Sequence, residues 1–273
     1  GSFGISGLGH GGEGCTMKLK IVISPDFGRE RGIDWDLLAA LMRRRNTDVE
    51  LLAPANLREY ENAISTGGID VVLANPIDAI ALVRCDGFIP FARPTRLHDE
   101  MLISSAATSP IRTIIDLRPG CRIALTTDRF VEVIGMRLLE PAGLDNSSVQ
   151  HIYCETSVAA SDLVVSGSAE IAFFAAESYS ALPLSTRRRL NPLVKSEIGD
   201  LSHLLLCHPQ RALDLADIRD KFVELAAVDM EAASAIRTLG LEIGFTPLTR
   251  DAAEDMLDLA QALLVPSATF AEL

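Results

Sequence analysis

TGGIDVVLANPID, residues 66–78, is a short apolar strand preceded by glycines and an acid and followed by a polar loop. SGSAEIAFFAAES, residues 166–178, repeats this pattern, with Glu170 in the position of Asp70. In both stretches a helix is expected to end at the glycine, and the nearly continuous apolar run indicates a strand buried on both faces. The repeat predicts two lobes of similar β-α-β construction, although any α/β chain that repeats such units would also show it.

The segments around this stretch alternate between short apolar strands and amphipathic helices. Strands are predicted at residues 18–24, 48–53 and 69–74, with helices at residues 34–45 and 56–66 between them. A strand–helix–strand order of this kind predicts a mostly parallel sheet covered by helices. The fold class is therefore predicted to be α/β.

A second series of strands follows the first. It is predicted at residues 100–105, 121–125, 149–153 and 169–174, and a further strand is predicted at residues 203–207. The C-terminal stretch is predicted to be helical. The chain has 273 residues, enough for two domains or for one domain of two lobes.

Composition excludes some classes of function. The formal net charge of −12 argues against binding to nucleic acid, since that binding depends on Lys and Arg at the phosphates. No apolar run approaches the roughly 18 residues of a membrane-spanning helix, so no direct membrane span is expected. There is no GxSxG, HExxH or Walker motif to indicate a particular catalytic chemistry.

The N-terminal residues and the cysteines indicate neither a signal peptide nor a disulfide framework. Residues 1–16, GSFGISGLGHGGEGCT, lack the basic start and apolar centre of a signal peptide, and are interpreted as a disordered leader or cloning remnant before Met17. The five cysteines form no CxxC pair and do not predict a disulfide framework. His151 and Cys154 have metal-ligand spacing but no second pair, so neither a metal site nor a cofactor is predicted.

Candidate ligand-binding residues lie in the loops after the strands, because ligands of open α/β sheets bind outside the carboxyl ends of the strands. The polar residues of these loops are Ser24, Asp26, Asn75, Asp78, Thr126, Thr127, Asp128, Thr156, Ser157, Glu177 and Tyr179.

Two of these loops place hydroxyl groups at the predicted start of a helix. The pairs Thr126-Thr127 and Thr156-Ser157 would combine hydroxyls with the N–H groups and positive dipole end that bind anions. Ser and Thr are also favoured helix N-caps, so each pair alone has a structural explanation.

Acidic side chains surround the same predicted cleft. Their charge suits a ligand that carries an amine or a bound cation; otherwise some of them point away or pair with Arg129. These acids are Asp78, Asp128, Glu155 and Glu177.

Three features together point to a known superfamily. They are the paired units STGGIDVVLANPIDAI and VSGSAEIAFFAAESYSAL, the stretch IIDLRPGCRIAL before a Thr-rich helix start, and the tail LGLEIGFTPLTRDAAEDMLDLAQAL. In their order and spacing they resemble the type II periplasmic-binding-protein superfamily, most closely its phosphate/phosphonate-binding branch. The resemblance covers nearly all of residues 17–264.

The resemblance implies a two-lobed fold in which each lobe is a mostly parallel sheet flanked by helices. The ligand cleft would lie between the lobes and close by a hinge movement. Lobe one would comprise residues 17–98 and 208–273, and lobe two residues 99–207. The two crossovers would lie near Leu97–Ser104 and Gly199–Cys207.

The resemblance also assigns roles to some residues. The family's Ser/Thr-rich phosphonate-binding helix start maps onto Thr126 and Thr127, although this sequence has Thr-Thr-Asp-Arg in place of a Ser-Thr-Ser-Gly type of run. Glu177 corresponds to an acid that holds an amino group in some relatives.

Three functions are compatible with this pattern. The first is a periplasmic solute-binding protein that delivers a small anionic or zwitterionic, phosphate- or phosphonate-like ligand to an ABC permease or reports it to a sensor kinase. The second is a cytoplasmic ligand-sensing regulatory domain, suggested by the five cysteines and the lack of a visible signal peptide. The third is an enzyme on the same fold, with Asp128 and Glu177 as an acid/base pair.

Overall fold

Two sheets, each covered by helices, make up the protein. The structure, a computed structural model, describes residues 17–27, 35–95, 100–226, 230–238 and 244–265. The predicted leader, residues 1–16, lies outside these residues.

Each strand predicted from the sequence is present, and Ile89–Pro94, Leu190–Lys195 and Phe245–Pro247 are further strands that the sequence analysis did not predict. The strands are β1 (Met17–Ile23), β2 (Thr47–Leu52), β3 (Val71–Ala74), β4 (Ile89–Pro94), β5 (Met101–Ala106), β6 (Arg122–Leu125), β7 (Gln150–Tyr153), β8 (Ile171–Ala175), β9 (Leu190–Lys195), β10 (Leu204–Cys207) and β11 (Phe245–Pro247). The helices are α1 (Trp35–Arg43), α2 (Leu57–Thr66), α3 (Pro76–Arg84), α4 (Arg129–Leu139), α5 (Ser157–Val165), α6 (Ala176–Ala181), α7 (Leu184–Arg187), α8 (Leu215–Val223), α9 (Met230–Thr238) and α10 (Arg250–Leu264).

The strand order confirms the predicted two-lobed α/β fold. The first sheet runs β11-β4-β10-β3-β1-β2 and the second runs β7-β6-β8-β5-β9. In the described part of the chain, parallel pairing is confined to three strands in each sheet, with β1 between β2 and β3 and β6 between β7 and β8. The remaining strands pair antiparallel. The sheets are therefore mixed, because the chain adds an antiparallel strand wherever it passes between the lobes.

The place of β10 corrects one part of the predicted division into lobes. Leu204–Cys207 pairs with β3 and β4 of the first sheet, although the sequence analysis assigned residues up to 207 to lobe two. The return crossover accordingly ends before Leu204. The apolar run HLLLC predicts a buried strand, but a local pattern cannot say which sheet buries it. The other boundaries, residues 17–98 and 208–273 against residues 99–207, stay a prediction.

The first crossover is also shorter than predicted. Its expected range reached Ser104, but β5 already begins at Met101. The part at residues 97–99 lies outside the described residues.

The internal repeat corresponds to one tertiary contact that the chain makes twice. An Asp70 carboxylate oxygen accepts the backbone N–H of Lys20 at 2.8 Å, and Glu170 accepts the backbone N–H of Arg122 at 2.6 Å. Each acid also returns its own N–H to the carbonyl of the same partner. Because these contacts lie just before β3 and β8, at the amino ends of the parallel strands, both acids stabilise the fold and are remote from the cleft.

Five helices begin at side-chain caps that the sequence makes recognisable. In each, the cap oxygen accepts the N–H three residues further on, which satisfies a donor that the helix leaves unpaired. The capping residues are Asn56, Asn75, Asp128, Thr156 and Thr249.

Helix α10 contacts both lobes. It packs on α3 of the first lobe and on α4 of the second. Arg137 of α4 donates to the carbonyls of Leu263 at 2.7 Å and Ala262 at 3.0 Å, at the end of α10 where backbone acceptors are unpaired. No helix in the described part of the chain is long and apolar enough to cross a membrane.

Replacing Glu170 with Ala is expected to lower the free energy of unfolding by about 1–2 kcal/mol, because it removes the acceptor of three charge-assisted hydrogen bonds from Arg122, on a side chain that is one-third exposed. The hydrogen bond from the Arg122 side chain also holds the Glu170 pKa below its ordinary value. This contribution is therefore complete at neutral pH and is lost as pH falls through the lowered pKa.

Urea unfolding at pH 7 and at about pH 3 measures both effects, and the gap between wild type and variant should shrink in acid. Glu61→Ala, an exposed acid on α2, is the matched control and should change stability little. An equal gap at both pH values would contradict the assigned role of Glu170.

Candidate functional site

The loops after β1 and β6 face each other across the cleft between the lobes. The repeat makes these strands equivalent, so Ser24-Pro25-Asp26 corresponds to Thr126-Thr127-Asp128. Residues from both loops line one cavity of about 40 Å³. The lining residues are Pro25, Asp26, Thr126, Thr127, Asp128, Glu155 and Ser178.

The cavity is small, and six of its seven described lining residues have polar side chains. Its volume holds about three water molecules at 10–15 Å³ each, which suits a compact oxyanion better than an extended organic molecule. Three of its lining side chains are carboxylic acids (Asp26, Asp128 and Glu155) and three are hydroxyls. Among the described residues that line it there is no Lys, Arg or His, so a ligand has to satisfy several acceptors.

Asp26 is held in place by side chains from three parts of the chain. It accepts hydrogen bonds from the Ser24 hydroxyl, from Asn75 Nδ2 at 2.9 Å and from His203 Nε2 at 3.2 Å. The side chains of Asp26 and His203 are each 7% exposed. Burial raises the pKa of Asp26, but the charge of His203 and these hydrogen bonds together keep the pKa below its ordinary value. Asp26 is therefore a buried, ionised acceptor.

An ion pair joins the two lobes beside this cavity. Arg129, the first residue of α4, donates to Asp78 Oδ1 at 2.9 Å, and Asn75 Nδ2 donates to Asp78 Oδ2 at 2.8 Å. Burial raises the pKa of Asp78 above its ordinary value and outweighs the effect of Arg129. The pairing of a cleft acid with Arg129, one of the alternatives from the sequence, is thus present for Asp78.

The structure brings together most of the residues predicted from the loops. Asp26, Thr126, Thr127 and Asp128 line the cavity, while Ser24, Asn75 and Asp78 form the hydrogen-bonded layer behind Asp26. Asp128 also caps α4, where its carboxylate accepts the Val131 N–H at 3.0 Å.

The other four predicted residues neither line the cavity nor belong to the hydrogen-bonded layer behind Asp26. The Thr156 hydroxyl accepts the Ala159 N–H as the cap of α5, and Ser157 is buried. Glu177 lies in the first turn of α6, and Tyr179 packs on Phe174 with ring centroids 5.7 Å apart.

The sequence analysis missed two contributors to the site. Ser178, which lies between the predicted residues Glu177 and Tyr179 of α6, lines the cavity. The sequence did not indicate it, because the direction of a side chain in the first turn of a helix depends on how the helix packs. His203 was counted only as part of an apolar strand. A buried histidine at the start of such a strand was the available signal, since a buried imidazole needs a partner.

A larger cavity of about 590 Å³ lies elsewhere on the first lobe, between α2 and α3. Tyr60, Ile64, Leu82 and Phe88 give it a largely apolar wall, and Arg129 is the residue that reaches it from the second lobe. It shares no described lining residue with the cavity between the lobes. We take the smaller cavity as the candidate site because both equivalent loops and their polar side chains converge there.

Comparison with known proteins agrees with this architecture. The family described as "ABC transporter, phosphonate, periplasmic substrate-binding protein" matches residues 23–253. No curated protein matches the chain.

Three solved structures illustrate the similarity in fold. PhnD1 from Prochlorococcus marinus in complex with methylphosphonate has a TM-score of 0.71 and 11% identity over 91% of this chain and 99% of that chain. A binding protein component of an ABC phosphonate transporter from Pseudomonas aeruginosa has a TM-score of 0.70 and 14% identity over 91% of this chain and 88% of that chain. The periplasmic aliphatic sulphonate-binding protein SsuA from Escherichia coli has a TM-score of 0.58 and 17% identity over 92% of this chain and 89% of that chain.

Proposed function

Because the chain belongs to the family of periplasmic substrate-binding proteins of phosphonate ABC transporters, we propose that it captures a small anionic or zwitterionic ligand between its two lobes. The observation that carries this proposal is the cavity in which the loops after β1 and β6 meet. The ligand is released to an ABC permease, and the protein works in the periplasm, as its family does.

The hydroxyls of the second lobe are suited to hold the oxyanion. Thr126, Thr127 and Ser178 each offer an O–H donor in a cavity of small volume, where a hydrogen bond to a charged group is strong. On the opposite wall Asp26 accepts a donor from the ligand. Binding of this kind engages both lobes at once and thereby favours closure.

We infer that the ligand leaves chemically unchanged. The two acids proposed for acid/base work, Asp128 and Glu177, do not meet in the cavity, since Asp128 lines it and Glu177 is not among its lining residues. Incubation with a bound ligand followed by chromatography should return it unaltered, and appearance of a product would favour the enzyme hypothesis.

Titration calorimetry with phosphate, phosphite and a set of phosphonates tests the proposed capture. We expect one of these to bind one-to-one, and the variants Thr126→Val and Thr127→Val to weaken it by roughly tenfold for each hydroxyl removed. Thr66→Val, the same change at an exposed helix position, is the control and should not alter affinity. If none of the oxyanions binds, or if both cavity variants bind as wild type does, the proposed function is wrong.

A further inference from the structure

The surroundings of Asp26 leave it with unused capacity to accept a hydrogen bond. An ionised carboxylate offers about four acceptor positions on its two oxygens. The Ser24 hydroxyl and His203 Nε2 both donate to Oδ1, and Asn75 Nδ2 donates to Oδ2. One position on Oδ2 therefore remains beyond these three donors, on a residue that lines the cavity.

The side chains that contact Asp26 are themselves held in place. The Asp26 carboxylate therefore keeps its orientation and stays a hydrogen-bond acceptor. Asn75 is itself held as the cap of α3, since its Oδ1 accepts the Asp78 N–H at 2.8 Å. His203 packs edge-on against Phe27 with ring centroids 4.9 Å apart, which fixes its imidazole ring. Because every group hydrogen-bonded to the carboxylate is a donor, Asp26 presents an acceptor, and not a donor, to the ligand.

A fixed acceptor discriminates between oxyanions by their protons. A phosphonate takes up a proton near neutral pH, as phosphate esters do with a second pKa of about 6, and then has an O–H to donate. A sulfonate of the same shape has three acceptor oxygens and no proton at any physiological pH. Against Asp26 it would leave two acceptors, both negatively charged, facing each other in a cavity with no basic side chain among its described lining residues.

We propose that Asp26 is the specificity-determining residue of the site, and that it admits ligands with a proton to donate, such as phosphonates and ammonium-bearing zwitterions, and rejects oxyanions without such a proton, such as alkyl sulfonates. The proposal rests on the proposed capture of a ligand between the lobes. It adds a selectivity between phosphonates and sulfonates that the fold alone does not determine, since the similar structures include a phosphonate complex and a sulphonate-binding protein.

Calorimetry with two matched pairs of probes tests the proposal on the full chain. The pairs are methylphosphonate with methanesulfonate and ethylphosphonate with ethanesulfonate, at about pH 6, where a phosphonate has a proton. We expect the phosphonate of at least one pair to bind roughly 100-fold more tightly than its sulfonate, the discrimination of a site that leaves a buried polar group unpaired. In Asp26→Asn, whose amide can donate, this ratio should fall at least roughly tenfold.

Asp145→Asn makes the same chemical change in an exposed turn of the second lobe and should keep the wild-type ratio. Equal binding of both members of a pair to the wild type, or an unchanged ratio in Asp26→Asn, overturns the inference and leaves the proposed capture standing. If none of the four probes binds, the inference is overturned, and the calorimetry with phosphate and phosphite decides separately on the proposed capture.

A second measurement decides the question should Asp26→Asn fail to fold. Affinity for the phosphonate is expected to fall as pH rises from about 6 to 9 and the ligand loses its proton. Among the described residues, the charged groups around Asp26 are His203, Asp78, Arg129, Asp128 and Glu155, and of these the histidine has the ordinary pKa closest to neutrality. His203→Gln should therefore retain the fall, and its disappearance in that variant would assign the effect to the imidazole and overturn the inference.

Discussion

Gly135→Ala should destabilise the protein by about 1–3 kcal/mol, although the same substitution within an ordinary helix stabilises it by about 1 kcal/mol. Gly135 lies in the middle of α4, where the helix crosses β8. A Cβ atom at this position would overlap the ring of Phe173, approaching its Cζ to 2.9 Å. Phe173 is 1% exposed and packed in the main core, so moving its ring would disturb the surrounding core side chains.

Denaturant unfolding of three variants measures this effect. Gly199→Ala is the control, because a Cβ there meets nothing within 4 Å, and it should leave stability nearly unchanged. The double variant Gly135→Ala/Phe173→Leu should recover part of the loss, since the smaller side chain makes room for the methyl group. A Gly135→Ala protein as stable as wild type would show that the contact with Phe173 is not limiting.

Arg129→Ala is expected to weaken ligand binding about tenfold, which corresponds to about 1.4 kcal/mol. The Asp78 side chain is 8% exposed, and Arg129 neutralises it from the opposite lobe. Without the guanidinium, closure would bury a carboxylate with no cation beside it, and an uncompensated buried charge is costly. Because Arg129 itself is half exposed, the effect should lie below the 3–5 kcal/mol of a fully buried pair.

The asymmetry of the pair provides an internal check. Asp78→Asn removes the buried charge and leaves a guanidinium that water can solvate, so it should weaken binding less than Arg129→Ala does. Arg188→Ala, at an exposed arginine of the second lobe, is the matched control and should bind as wild type does. Calorimetry measures affinity, and small-angle scattering without ligand should show a more open average shape for Arg129→Ala. Equal losses of affinity in Arg129→Ala and Asp78→Asn would contradict the explanation that the loss comes from a buried carboxylate without a cation beside it.

Local sequence pattern was sufficient to find most of the first lobe's contribution to the site. Asp26, Asn75 and Asp78 follow buried strands, and the carboxyl ends of parallel strands meet at one edge of a sheet. Asn75 before a proline also marks a helix start, which is where the structure has it. The sequence could place these residues at that edge because each placement depends on neighbours within a few positions.

The second lobe shows where such reasoning stops. The hydroxyls at Thr126 and Thr127 reach the cavity, whereas those at Thr156 and Ser157 are a helix cap and a buried group. Both pairs have the same local pattern before a helix. Which pair faces the cavity depends on the position of its strand, and β6 lies between β7 and β8 in the second sheet while β7 lies at its edge.

The sequence by itself determined the α/β class, the doubled strand unit and the family resemblance, because strand and helix periodicity and cap chemistry are local properties. Only the tertiary structure decided that β10 belongs to the first sheet and that His203 reaches Asp26 across 177 positions of the chain. It also decided that acids and hydroxyls line the cavity and that Arg129 donates to Asp78. The physical reason is that hydrogen bonds and ion pairs between distant residues depend on how the sheets pack, and that packing is a property of the whole chain.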